Sequence, residues 1–165
     1  MMHAVVVFET LWGNTEQLAR EVAAGLGLES TDVVDAVSAP AMLEDDVDLL
    51  VVGGPTHAFS MSTDKTREAA QQQGAENIPR RGIREWIASL ASPGRDIRVA
   101  TFDTRVTSPR LPGSAAKKAM KRLVALGFRP AAKPHTFGVH GYSGPVADGE
   151  LERARRWGEE LAATR

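Results

Sequence analysis

The feature that most constrains this chain is a change of hydrophobic period between residues 4 and 26. Ala4-Val5-Val6-Val7 is an unbroken apolar run, the pattern of a strand buried on both faces. From Glu16 onward, Leu18, Val22 and Leu26 recur four apart, which puts them on one face of a helix. The residues between, Thr10, Leu11, Trp12, Gly13, Asn14 and Thr15, therefore make a tight strand-to-helix loop. Two hydroxyls, an amide and a glycine stand beside helix N–H groups that have no partner inside the helix. Those groups also lie at the positive end of the helix dipole. Such a loop suits an anion, most simply a phosphate. It equally suits an ordinary cap, with Asn14 or Thr15 satisfying the helix end.

The commoner phosphate loops do not fit. Neither G-x-G-x-x-G nor G-x-x-x-x-G-K-[ST] occurs here. A receiver domain of the same topology would need an acidic cluster after this strand, and only Glu9 is present. Val6-Val7-Phe8, Thr10, Gly13, Thr15, Ala19 and Val22 do fall where the flavodoxin signature places such residues, and the segment resembles that family. The family loop usually reads S/T-x-T-G-x-T, and Trp12 stands at its middle threonine.

The rest of the chain alternates strands with helices. Thr31–Val37 reads as a second strand whose Asp32 and Asp35 suit a sheet edge. Residues 42–47 form a short acidic helix or a loop. Asp48–Val52 is a third buried strand that runs into Gly53-Gly54-Pro55-Thr56-His57-Ala58-Phe59. Thr63 or Asp64 caps a helix through Gln73, and Ile83, Trp86, Ile87 and Leu90 mark another over 80–91, with Trp86 in the core. Ile97–Phe102 is the fourth strand, followed by a long loop from Asp103, Thr104 and Arg105 to Gly113. A helix over 115–126 points Ala116, Met120, Leu123 and Val124 inward. Pro134–Val139 is the fifth strand, and Asp148 caps a last helix with Leu151, Ala154, Trp157 and Leu161 inward.

This alternation predicts an α/β fold: a flavodoxin-like three-layer sandwich whose five parallel strands run in the order 2-1-3-4-5, with helices on both faces. A ligand then sits at the switch point, above the carboxyl ends of strands 1 and 3. The long loops leave strands 1, 3 and 4, so they gather at that edge. With 165 residues and 42% hydrophobic content, residues 1–165 suit one domain.

Gly53-Gly54-Pro55-Thr56, with Met61 following, extends the resemblance, and is similar to the G-x-P-T-x5-M form of flavodoxin-like quinone reductases. The resemblance implies FMN, with its phosphate on Thr10–Thr15. It places Pro55, Thr56, His57, Ala58 and Phe59 along the isoalloxazine, a peptide group facing N5. Asp103, Thr104 and Arg105 meet the pyrimidine edge. His57 either flanks the ring or is a surface imidazole. The function implied is electron transfer, or NAD(P)H-dependent reduction of a small acceptor such as a quinone. The alternative is a regulatory or interaction module that keeps the fold without flavin.

Charge sharpens the choice. The net charge is −1, yet residues 104–147 carry Arg105, Arg110, Lys117, Lys118, Lys121, Arg122, Arg129 and Lys133 with no acid. This is either a basic surface for an anionic partner or a solvated helix face. Electron-carrying flavodoxins are strongly acidic, and a cation such as Arg105 near flavin N1 makes the ring easier to reduce. Both favour a reductase. The basic stretch lacks interleaved aromatics, which argues against nucleic acid. The absence of cysteine excludes disulfides, thiolate catalysis and iron–sulfur clusters. His3, His135 and His140 lack metal-ligand spacing, so no metal is expected. Apolar runs of four or five residues are too short for a membrane span. The first strand leaves no room for a signal peptide, so the expected location is the cytoplasm.

Overall fold

The computed structural model describes residues 2–108 and 112–164. Arg110 of the basic stretch, with Pro109 and Leu111, lies outside them. In chain order the elements are β1 (His3–Phe8), α1 (Asn14–Leu26), β2 (Thr31–Asp35), β3 (Val47–His57), β4 (Ser60–Met61), α2 (Asp64–Gln72), α3 (Ile83–Ser89), β5 (Arg98–Val106), α4 (Ala115–Leu126), β6 (Arg129–Pro130), β7 (His135–Val139) and α5 (Glu150–Ala163).

The main strands run β2-β1-β3-β5, with β7 beside β5, all parallel. This is the expected 2-1-3-4-5 order with two short additions. β4 folds back antiparallel on the end of β3, and β6 pairs with the start of β5.

Each central strand is buried on both faces, as its unbroken apolar run requires. Ala4, Val6 and Phe8 of β1 pack with Leu18 and Val22 of α1 and Trp157 and Leu161 of α5. Val5 and Val7 point the other way, toward Ile83, Trp86 and Ile87 of α3, in one cluster with Met120 and Leu123 of α4. Burying each of these larger side chains contributes roughly 1.5–3 kcal/mol. A Cβ at Gly25 or Gly158 would collide with the facing helix backbone, which explains the close contact of α1 with α5.

Several expectations need correction. Of the two alternatives for residues 42–47 the loop is found, and turns run through residues 36–46. α3 covers that stretch instead, because Trp86 Nε1 donates to the Pro40 carbonyl (3.0 Å) and Arg81 donates to the carbonyls of Ala36 and Ala39 (both 2.8 Å). α3 begins only at Gly82, its N-cap. Val124 and Leu151 face outward, 42% and 37% exposed, since the buried stripes of their helices run through Leu123 and Ala154. Gly149, not Asp148, caps α5. β3 and β5 also run further than their apolar cores. The ladders continue through Pro55↔Thr104 and Val106↔Val139, so Asp103, Thr104 and Arg105 are strand residues rather than loop.

Candidate functional site

A cleft of about 420 Å³ opens at the carboxyl ends of β1, β3 and β5. Its size lies within the roughly 300–1,000 Å³ of small-molecule sites. Of the fourteen residues expected there, twelve line it: Thr10, Leu11, Trp12, Asn14 and Thr15; Pro55, Thr56, His57, Ala58 and Phe59; Thr104 and Arg105.

Gly13 and Asp103 do not line the cleft. Gly13 works behind the first loop. Its φ of 93° is the left-handed conformation that favours glycine, and it turns the chain into α1. Its N–H donates to Thr10 Oγ1 at 2.9 Å. No side chain caps α1, so neither Asn14 nor Thr15 spends its polar group on the helix end. The first-turn N–H groups are left for a ligand. Thr15 Oγ1 lies 3.1 Å from Thr104 Oγ1, which joins the first loop to β5.

Asp103 is a correction. Its carboxylate is fully buried and serves α4, accepting from Ser114 Oγ (2.5 Å) and the Ala116 N–H (3.0 Å). A carboxylate at a helix N-terminus is favourable through the dipole. Along β5, side chains alternate between the faces of the sheet, so Asp103 points beneath the cleft while Thr104 reaches it.

The second wall is the β3–β4 hairpin. Its two turn residues, Ala58 and Phe59, have φ of 47° and 71°. For residues with a Cβ this conformation costs about 1–2 kcal/mol each. The turn is held from outside. The Ala115 N–H donates to Thr56 Oγ1 at 3.1 Å, and Arg105 Nη1 donates to the Gly113 carbonyl at 2.6 Å. Gly113 sits so close that a Cβ there would collide with Phe59. Arg84 donates to the Met61 and Ser62 carbonyls at 2.7 and 3.0 Å and fixes β4.

Beneath the hairpin lies a polar network centred on buried Glu9, Ser62 and Arg67. Glu9, 2% exposed, accepts from Ser62 Oγ and from the Ile83 N–H (2.9 Å). Buried Arg67 donates to Ser62 Oγ at 2.7 Å and pairs with Asp64 (2.7 Å) and Glu85 (3.0 Å). Burial pushes the Glu9 carboxyl above its ordinary range, against the opposing bonds from Ser62 and Ile83. His57 Nδ1 lies 3.0 Å from Thr66 Oγ1. Burial, and then the charge of Arg67, lower its pKa to about 4, so the ring is neutral at pH 7.

Two parts of the wall escaped the sequence reading. Thr66, Ala69, Ala70 and Gln73 bring one face of α2 to the cleft, with Trp12 packed beside Ala70. Gly141 and Tyr142, from the loop after β7, close another side. Tyr142 is the chain's single tyrosine and is 68% exposed. Its place after a parallel strand was the available signal, because loops at carboxyl ends of such strands face the ligand.

No family model matches this chain, and neither does any curated protein. Solved structures match it closely in shape. A flavodoxin from Streptococcus pneumoniae TIGR4 superposes with a TM-score of 0.68 at 20% identity, covering 97% of each chain. Flavodoxin 1 from Bacillus cereus gives 0.67 at 18%, covering 96% of each. This chain has a flavodoxin-like fold. A flavodoxin-like WrbA-like protein from Agrobacterium tumefaciens is also similar, with a TM-score of 0.60 at 18% identity over 98% of this chain and 96% of that one. No helix among the described residues is long and apolar enough to cross a membrane.

Proposed function

We propose that the cleft binds FMN and that the chain is a flavin-dependent oxidoreductase. In this reading it takes reducing equivalents from NAD(P)H and delivers them to a small acceptor such as a quinone. The observation that carries the reading is the uncapped N-terminus of α1, opening on a cleft already lined by Thr10, Asn14, Thr15 and Thr104. A phosphate monoester fits this donor set: backbone N–H groups at a helix N-terminus, with hydroxyls beside them. The apolar and strained hairpin opposite suits a flat ring. Similarity to flavodoxins, one of them described in its oxidised state, supports the same reading.

The flavin, when bound, supplies the electron chemistry. The chain's residues hold and tune it. Thr10–Thr15 bind the phosphate, and the hairpin and Tyr142 keep water from the ring. Arg105, on the cleft wall, favours negative charge on the ligand and hence its reduction. The exposed cations of α4, Lys117, Lys118, Lys121 and Arg122, attract an anionic nicotinamide cofactor. No acidic surface of the kind a low-potential carrier uses lies along that helix.

The test is the visible spectrum of the purified protein, followed by stopped-flow mixing with NADPH and NADH at two salt concentrations. Flavin bands that bleach with either nucleotide, more slowly at high salt, are expected. Flavin bands unmoved by both nucleotides would restore the electron carrier. A protein that takes up no flavin would make the interaction module the reading to pursue.

A further inference from the structure

Thr66 decides which nitrogen of His57 carries the proton. Its hydroxyl has one hydrogen, which it donates to the Thr63 carbonyl at 3.1 Å within the cap of α2. The same oxygen accepts from the Thr63 N–H at 2.8 Å. With its hydrogen so used, the oxygen accepts from His57 Nδ1, 3.0 Å away. Nδ1 is then the protonated nitrogen, and Nε2 is left bare.

That bare nitrogen is open to the cleft. His57 lines the cavity, and Nε2 is not among the polar atoms buried without a partner in the described residues. No hydrogen bond to it is made by any described residue. The capping box holds the Thr66 oxygen in place, because Thr63 and Thr66 satisfy each other's backbone N–H groups at the start of α2. Turning the hydroxyl hydrogen toward His57 would give up its bond to the Thr63 carbonyl. Arg67, one residue further on, is buried and keeps positive charge beside the ring, which opposes a second proton.

We propose that His57 presents the cleft with a hydrogen-bond acceptor, and so binds preferentially the ligand state that carries a further N–H on the group it faces, which for FMN is the reduced ring. The inference rests on FMN as the ligand. Reduction adds an N–H to the isoalloxazine at a nitrogen that is a bare acceptor when oxidised. Against the oxidised nitrogen, a bare Nε2 sets two acceptors face to face, and against the reduced one it completes a hydrogen bond. His57 is then a tuning residue: it transfers no proton and raises the potential by holding the reduced ring more tightly.

The experiment measures the affinity of the wild-type protein, H57F and H57Q for oxidised FMN and, anaerobically, for reduced FMN. In H57F we expect reduced FMN to weaken at least tenfold more than oxidised FMN. The two-electron potential then falls by about 30 mV for each tenfold. H57Q keeps an acceptor oxygen and recovers most of the difference. Equal weakening of both states, or no change in either, overturns the inference while leaving FMN binding intact. Absence of FMN binding by the wild-type protein overturns the proposed function and the inference with it. Long-range proton–nitrogen NMR on the ligand-free wild-type protein gives an answer that no variant's folding can obscure. The proton belongs on Nδ1, and a proton on Nε2 overturns the inference.

Discussion

The two loops that flank the cleft are built by different means. The first, Thr10–Thr15, is assembled from near neighbours. Thr10 accepts from Gly13 three residues on, and the donors are peptide groups of α1 itself. The second, at Pro55–Ser60, is strained at Ala58 and Phe59. Side chains and backbone groups from distant segments hold it: Arg84, Arg105, Gly113 and Ala115, with Glu9 and Arg67 below. A loop made locally needs only its motif. A strained loop persists only where its surroundings over-determine it. Changes in the first loop should therefore alter binding more than stability, and changes around the second should alter stability first.

The comparison breaks most visibly at Glu9. E9A leaves the Ile83 N–H and the Ser62 hydroxyl without their buried acceptor, and should lower unfolding stability by about 1–3 kcal/mol for each of the two in urea titration. E9Q keeps an oxygen for Ile83 and removes the charge. Burial raises the folded-state pKa of Glu9 above the ordinary carboxylate range, so the folded protein holds this proton where the unfolded chain has lost it. Through that window stability falls as pH rises, and E9Q should flatten the slope. A slope unchanged in E9Q would mean that another group sets it.

G113A comes next. The substitution puts a Cβ at a φ of 93° and against Phe59. A loss of about 1–3 kcal/mol is expected. Binding should weaken as well, because the hairpin must shift, and a variant as stable as wild type would show that the hairpin needs no latch. The smallest stability effect belongs to T15A. It should cost at most about 1 kcal/mol of stability while weakening FMN by about 1–3 kcal/mol, the range for a lost bond to a charged group. An affinity unchanged at equal stability would remove Thr15 from the site.

The same contrast governs what the sequence could disclose. The place of the first loop was legible because its parts are consecutive, and the strand order followed from the alternation of periods. The extra length of β3 and β5 was hidden, because Gly53, Gly54 and Pro55 read as turn residues although their neighbours in space keep the ladder going. The role of Asp103 was hidden for a related reason. Its partners Ser114 and Ala116 lie beyond a long loop, and only the pleat of β5 shows which way its carboxylate points. Glu9 read only as a lone acid, since Ser62 and Arg67 are more than fifty residues away. Val124 and Leu151 were misassigned because each sits one helical step outside a narrow buried stripe.

The central claim is that the first loop is a phosphate site. Isothermal titration of the purified, flavin-stripped protein with FMN and with riboflavin tests it directly, because the two ligands differ only in that phosphate. FMN should bind at least tenfold more tightly, a difference of about 1.4 kcal/mol or more. Riboflavin binding as tightly as FMN would contradict the account.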